Sequence, residues 1–147
     1  MPVVLVNGAR RTGKTTLVQA CAEGWPEARY VTLDERGTLG SALADPDAFV
    51  AGDASPLIID EVQRAPDLFR AIKLAVDRRR QPGRFVLTGS ANVLMLPRLS
   101  ESLAGRMAIE SLWPFSQGEL DGVREGFVDA VFAETLPPLR GKGEGRE

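Results

Sequence analysis

Gly8-Ala9-Arg10-Arg11-Thr12-Gly13-Lys14-Thr15 fits the spacing G-x-x-x-x-G-K-[ST] and leads directly off an apolar run, Pro2 to Val6. A second apolar run, Leu57-Ile58-Ile59, ends in two acids, Asp60 and Glu61. Residue types at this spacing suit a compact polyanion. Glycines at 8 and 13 let the backbone curl so that successive N–H groups point inward. A helix beginning near Lys14 adds the positive end of its dipole. Lys14 is then placed to reach the β and γ phosphates of a nucleoside triphosphate as a point charge, and the Thr15 hydroxyl to ligate magnesium. The nucleotide-binding segment expected on this pattern is Gly8, Ala9, Arg10, Arg11, Thr12, Gly13, Lys14, Thr15 and Thr16. Arg10 and Arg11 either reach phosphate or a neighbouring subunit, or simply face solvent.

In an open α/β sheet, ligands sit at the carboxyl ends of the strands. The loop after the first strand and the acids after the third can therefore face one crevice. There Asp60 is expected to hold magnesium through a water. Glu61 is expected to orient the water that attacks the γ phosphate or to accept its proton. Two solvated acids capping the next segment are the plainer alternative. No Asn-Lys-x-Asp guanine reader is present. A small-molecule kinase has no need of a water-activating glutamate, because its substrate is the acceptor. The Asp-Glu pair therefore favours ATP hydrolysis.

The elements that must position these groups alternate. The run from Pro2 to Val6 is continuous, as in a strand covered on both faces. Thr15 to Glu23 reads as a helix with Leu17, Val18 and Cys21 on one side, stopped by Gly24, Trp25 and Pro26. Arg29 to Leu33 reads as a second strand, and Asp34-Glu35 close it. Thr38 to Ala44 is weakly helical. Asp45 and Pro46 then mark a new helix start. Leu57 to Asp60 is the third strand. A helix opens at Pro66 with Leu68, Phe69, Ile72, Ala75 and Val76 at helical spacing. Arg84 to Thr88 is the fourth strand and Met107 to Leu112 the fifth, with short helical pieces at 91–96 and 100–104 between them. Ser116 and Glu119 have the capping-box spacing, and Glu125 to Ala133 suggests a last helix. The segment from Pro137 to Glu147 is charged, with two prolines and three glycines, and reads as disordered. Strands alternating with helices imply a parallel sheet with right-handed crossovers.

Bulk properties narrow the chemistry further. The 147 residues are one domain's worth, and the net charge of −2 indicates no general attraction to nucleic acid or anionic membrane. There is no histidine and one cysteine, Cys21. Cysteine-histidine zinc sites, Ser-His-Asp catalysis and intrachain disulfides are excluded. Cys21 is expected to be a small buried apolar residue. The first apolar run is too short for a signal peptide or a membrane span and lacks a basic region ahead of it, so the cytoplasm is expected.

The segments GARRTGKTTL, YVTLDE, LIIDEVQRAPDLF, GRFVLTGSAN, ESLAGRM and LWPFSQGEL are spread along nearly the whole stretch of residues 3–120. This combination resembles the AAA-like P-loop ATPases of bacteria and archaea that carry a C-terminal domain of unknown function. The resemblance implies a P-loop NTPase three-layer αβα sandwich with parallel sheet order 5-1-4-3-2. It implies that Thr88, or Ser90 just beyond it, senses the γ phosphate, although both could merely cap a strand end. It also suggests Arg106 as a finger-like arginine acting across a subunit boundary of a homo-oligomer, against a surface pairing with Glu101 or Glu110. Similar proteins run on well past this point. The expected organisation is an ATPase core over 1–136, with 121–136 a stump of a lost region, and a disordered tail over 137–147.

Two functions remain in view. One is an ATPase core with ATP and Mg2+, in which Lys14, Glu61, Thr88 and Arg106 act in catalysis and Thr15 and Asp60 hold the metal. The other is a shortened nucleotide-binding module or switch with little or no turnover. A small-molecule kinase is a weaker third reading.

Overall fold

Five parallel strands carry the architecture: β1 (Val3–Gly8), β2 (Arg29–Thr32), β3 (Leu57–Asp60), β4 (Phe85–Ser90) and β5 (Met107–Ser111). They lie in the order β2-β3-β4-β1-β5, which is the expected 5-1-4-3-2 viewed from the other edge. All the pairings are parallel. The structure is a computed structural model that describes residues 1–52, 56–90, 93 and 103–122. Residues 1–114 form one compact unit and 115–147 a second.

The helices of the first unit are α1 (Lys14–Glu23), α2 (Arg36–Ala44), α3 (Pro46–Val50) and α4 (Leu68–Arg78). A 3-10 turn, Val62–Arg64, follows β3. Asp45 caps α3 as expected, its carboxylate accepting the Ala48 N–H at 2.9 Å. In the second unit, α5 (Gln117–Asp121) carries the expected capping box. The Ser116 side chain accepts the Glu119 N–H, and the Glu119 carboxylate accepts the Ser116 N–H at 2.8 Å.

Side chains alternate across the sheet and build two cores of unequal size. On one face Val3, Leu5, Leu57, Ile59, Phe85 and Leu87 pack with Leu68, Phe69, Ile72 and Val76 of α4. The other face is thinner. Val6 and Ile58 pack with Val18 of α1, with Tyr30 and Val86 half-buried beside them. α4 is thus wedged along the larger core. At its carboxyl end the buried Arg84 donates to the Ala75 carbonyl at 2.7 Å and the Arg79 carbonyl at 3.3 Å. The guanidinium also lies 5.1 Å from the centre of the Phe85 ring. Burial, and then the neighbouring Arg79, lower the pKa of Arg84 from its usual value.

Several expectations shift. β1 runs on to Gly8 rather than stopping at Val6, because Asn7 keeps its ladder on both sides, against Gly89 and Ser111. α4 begins at Leu68 rather than Pro66, since Ala65 and Pro66 accept in turns that precede it. Cys21 is exposed, contrary to expectation, and Leu17 is 42% exposed. The thin core on that face accepts only a narrow stripe of α1, Lys14 and Val18 with Ala22 beside them. The expected helices at 91–96, 100–104 and 125–133 and the tail at 137–147 fall wholly or mostly outside the described residues. No described helix is long and apolar enough to cross a membrane.

Candidate nucleotide site

β4 lies between β1 and β3, so the strand that carries the glycine loop and the strand that carries the acids are two spacings apart, roughly 10 Å. Ile59 is in register with Leu87, which sets the next residues, Asp60 and Thr88, side by side; Thr88 is in turn level with Val6 of β1. Thr32 of β2 is level with Asp60 on the other side. Thr32, Asp60, Thr88 and Val6 therefore form a row across the sheet at its carboxyl end. The gap between loop and acid is bridged by this row and by the first turn of α1.

The loop leaves β1 at Gly8, where a Cβ would meet the Leu112 carbonyl oxygen at 2.4 Å. Only glycine fits there. Gly13 sits at φ 90 directly before α1, and Arg11 is also left-handed at φ 64. These two reversals wind the segment tightly enough for the Ala9 carbonyl to accept from both the Thr12 hydroxyl, at 3.0 Å, and the Lys14 ammonium, at 2.6 Å. Lys14 is 5% exposed, so its charge is held within the winding rather than left in solvent.

Asp60, 2% exposed, is the charge this arrangement faces. One carboxylate oxygen, Oδ1, accepts from the Thr88 hydroxyl. The other, Oδ2, accepts from Thr15 Oγ1 at 2.9 Å and from the Tyr30 hydroxyl at 3.2 Å. Burial, and then the charge of Asp60, raise the pKa of Tyr30 above its usual 10.0. Thr88 does a second job, accepting the Glu61 N–H at 3.0 Å. That bond restrains Glu61 in a left-handed conformation, φ 60 and ψ 44, which costs a non-glycine residue roughly 1–2 kcal/mol. The reversal starts the 3-10 turn. The Glu61 carboxylate in turn accepts from the Gln63 side-chain amide.

A cavity of about 920 Å³ lies beyond the end of this row, lined by Glu61 and Ser90 rather than by Asp60 or Thr88 themselves. Among the described residues, Arg10, Arg11, Gly13, Lys14, Thr15 and Thr16 line it from the loop and α1, and Asp34, Glu61, Gln63, Arg64 and Ser90 from the ends of β2, β3 and β4. The glycine loop, the start of α1 and the acid-bearing strand end thus enclose one space.

The sequence comparisons agree with this geometry. The profile of a family described as an AAA domain matches residues 1–121. The chain belongs to this AAA domain family. Uncharacterized proteins of Mycobacterium bovis and Mycobacterium tuberculosis are each 40% identical to it over 111 residues, which is 76% of this chain and 25% of each relative. The chain therefore matches about a quarter of the length of these relatives. Membership makes this AAA domain a P-loop, nucleotide-binding ATPase-type fold.

Within the AAA domain, the two residues suggested as phosphate sensors separate. Thr88 is wholly buried and its hydroxyl is committed to Asp60 and Glu61. Ser90, two residues on, lines the cavity. Arg106 is not brought to the site. It precedes β5 at the amino end of the sheet, where its carbonyl accepts from Val3 and its side chain pairs with Asp77 at 2.7 Å. The expected partner Glu101 lies outside the described residues. Val3 and Gly8 are five residues apart along β1, roughly 16 Å, so Arg106 cannot touch the loop of its own chain. Three wall residues had no sequence signal strong enough to single them out: Asp34, Gln63 and Arg64. Arg64 and Asp34 form an ion pair at 2.5 Å, joining the ends of β2 and β3. The Asp34-Glu35 pair after the second strand was the only available hint.

Proposed function

We propose that this AAA domain binds ATP with magnesium and hydrolyses it. The observation that carries the reading is the meeting of Thr15 Oγ1 and Asp60 Oδ2, 2.9 Å apart, beside the loop that encloses Lys14. A hydroxyl and a carboxylate are hard oxygen donors of the kind magnesium accepts, in the small numbers it takes from protein when phosphate supplies the rest. Lys14, Arg10 and Arg11 on the same cavity wall suit the phosphates. When bound, the ion would neutralise charge on the phosphates. Thr15 and Asp60 would hold it, Asp60 through a water. Lys14 would turn from the Ala9 carbonyl toward phosphate, and Ser90 would read the terminal phosphate from the end of β4. Glu61, on the same cavity, would orient a water or take its proton. A conformational or assembly step coupled to turnover belongs to the same proposal. In it Arg106 would leave Asp77 and serve the site of a neighbouring copy.

The Gln63 amide on the Glu61 carboxylate favours a second reading, a nucleotide-held switch with little or no turnover. Phosphate release by the purified chain with ATP and magnesium separates the two. Hydrolysis predicts steady release that Glu61→Gln slows by about 10²–10⁴-fold while ATP still binds. Lys14→Ala is expected to abolish binding. Unchanged turnover in Glu61→Gln would remove the assigned role.

A further inference from the structure

Tyr30 has no part in the chemistry argued above, yet its hydroxyl ends on the carboxylate oxygen that Thr15 also touches. It comes from a different element. β2 pairs with β3 so that Tyr30 is level with Ile58, on the same face of the sheet as Asp60, and its ring extends toward the carboxyl end. From the opposite side, Gln19 of α1 donates its side-chain N–H to the phenol oxygen at 3.3 Å. The polarity is fixed by Asp60, because a carboxylate only accepts. The phenol accepts from Gln19 and directs its own proton to Asp60 Oδ2. The carboxylate is thereby held at three points, by Thr88 on Oδ1 and by Thr15 and Tyr30 on Oδ2. Thr15 stands in the first turn of α1 and would also serve the ion. Thr88 and Tyr30 are the two holds anchored in neighbouring strands.

We propose that Tyr30 is a positioning residue for the metal-binding carboxylate, its hydroxyl setting the orientation of Asp60 while Gln19 keeps the phenol aligned. The inference rests on Thr15 and Asp60 being the magnesium site. Partners that orient a metal ligand from behind typically account for 10–100-fold in metal affinity. The ring itself has a separate structural role in the thin core with Val6, Val18 and Ile58. A phenylalanine retains that role and loses only the hydroxyl.

The test uses the 147-residue chain as wild type, Tyr30→Phe and Gln19→Ala. ATP binding is measured by calorimetry in EDTA and again across a magnesium titration, with the thermal midpoint of each protein recorded. Tyr30→Phe is expected to leave ATP affinity in EDTA and the thermal midpoint unchanged. The magnesium concentration for half-maximal effect should rise about 10–100-fold. Gln19→Ala should move it the same way by less. A wild type whose ATP binding ignores magnesium removes the magnesium site, and this inference with it. A magnesium-dependent wild type with an unshifted Tyr30→Phe overturns the inference alone. So does a Tyr30→Phe that loses affinity equally with and without magnesium, since the hydroxyl would then be supporting the fold of the pocket.

Discussion

Thr88 links the two acids of this AAA domain. One hydroxyl donates to Asp60 and accepts from the backbone of Glu61, in a place where water does not reach. Valine would fill the same space without a donor or an acceptor. Thr88→Val is therefore expected to leave a carboxylate oxygen and an N–H each short of a partner, at about 1–3 kcal/mol apiece. The fall in the urea midpoint checks this, and a midpoint equal to wild type would mean the hydroxyl holds neither group. The residue types at 60 and 61 were legible from sequence, because two acids after an apolar run are conspicuous. The job of Thr88 was not. A threonine at a strand end is compatible with capping, sensing or bridging, and only the register with β3 selects among them.

At the level of elements, the conformation of the glycine loop was read closely from its residues because its requirements are local. A turn that needs φ 90 at Gly13 and no Cβ at Gly8 leaves few sequences free to form it. α1 was read less well. Leu17, Val18 and Cys21 looked like its inner face, yet Lys14 and Val18 are the buried pair, because a sheet face with a small core takes a narrow helical stripe. α4 is different: its broad apolar face matches a large core, and its carboxyl end is tied down by Arg84. Arg84→Ala should remove charge-assisted bonds to the Ala75 and Arg79 carbonyls and cost about 1.5–3 kcal/mol in urea unfolding. No change in midpoint would mean water replaces the guanidinium without penalty.

For the molecule as a whole, the unequal cores predict unequal tolerance. Phe69 is fully buried in the larger cluster, and Phe69→Ala is expected to cost about 3–5 kcal/mol. Leu17→Ala, on the outer side of α1, is expected to stay within about 0.5 kcal/mol of wild type. Urea midpoints for the pair test the asymmetry; similar losses would show that α1 buries more than Lys14 and Val18. The whole-molecule view also decides where charge can act. Arg106 sits at the amino end of the sheet with Asp77, whereas Arg64 and Asp34 close the far wall of the cavity. Sequence distance pointed the other way on neither point, since it carries no information about which end of a strand a residue joins.

What the amino-acid sequence determined by itself was the glycine loop, the acid-bearing strand end and the alternation of strands and helices. Each of these is dictated by neighbours within about ten residues: backbone freedom at glycine, helical and strand periodicity, and charge following an apolar run. Only the tertiary structure decided that β4 stands between the strand of the glycine loop and the strand of the acids, and that Thr88 and Tyr30 grip Asp60. It alone placed Ser90 at the cavity and Arg106 away from it. Those facts depend on strand order and register. Both are set by which apolar faces can be buried together, a property of the assembled sheet that no single segment contains.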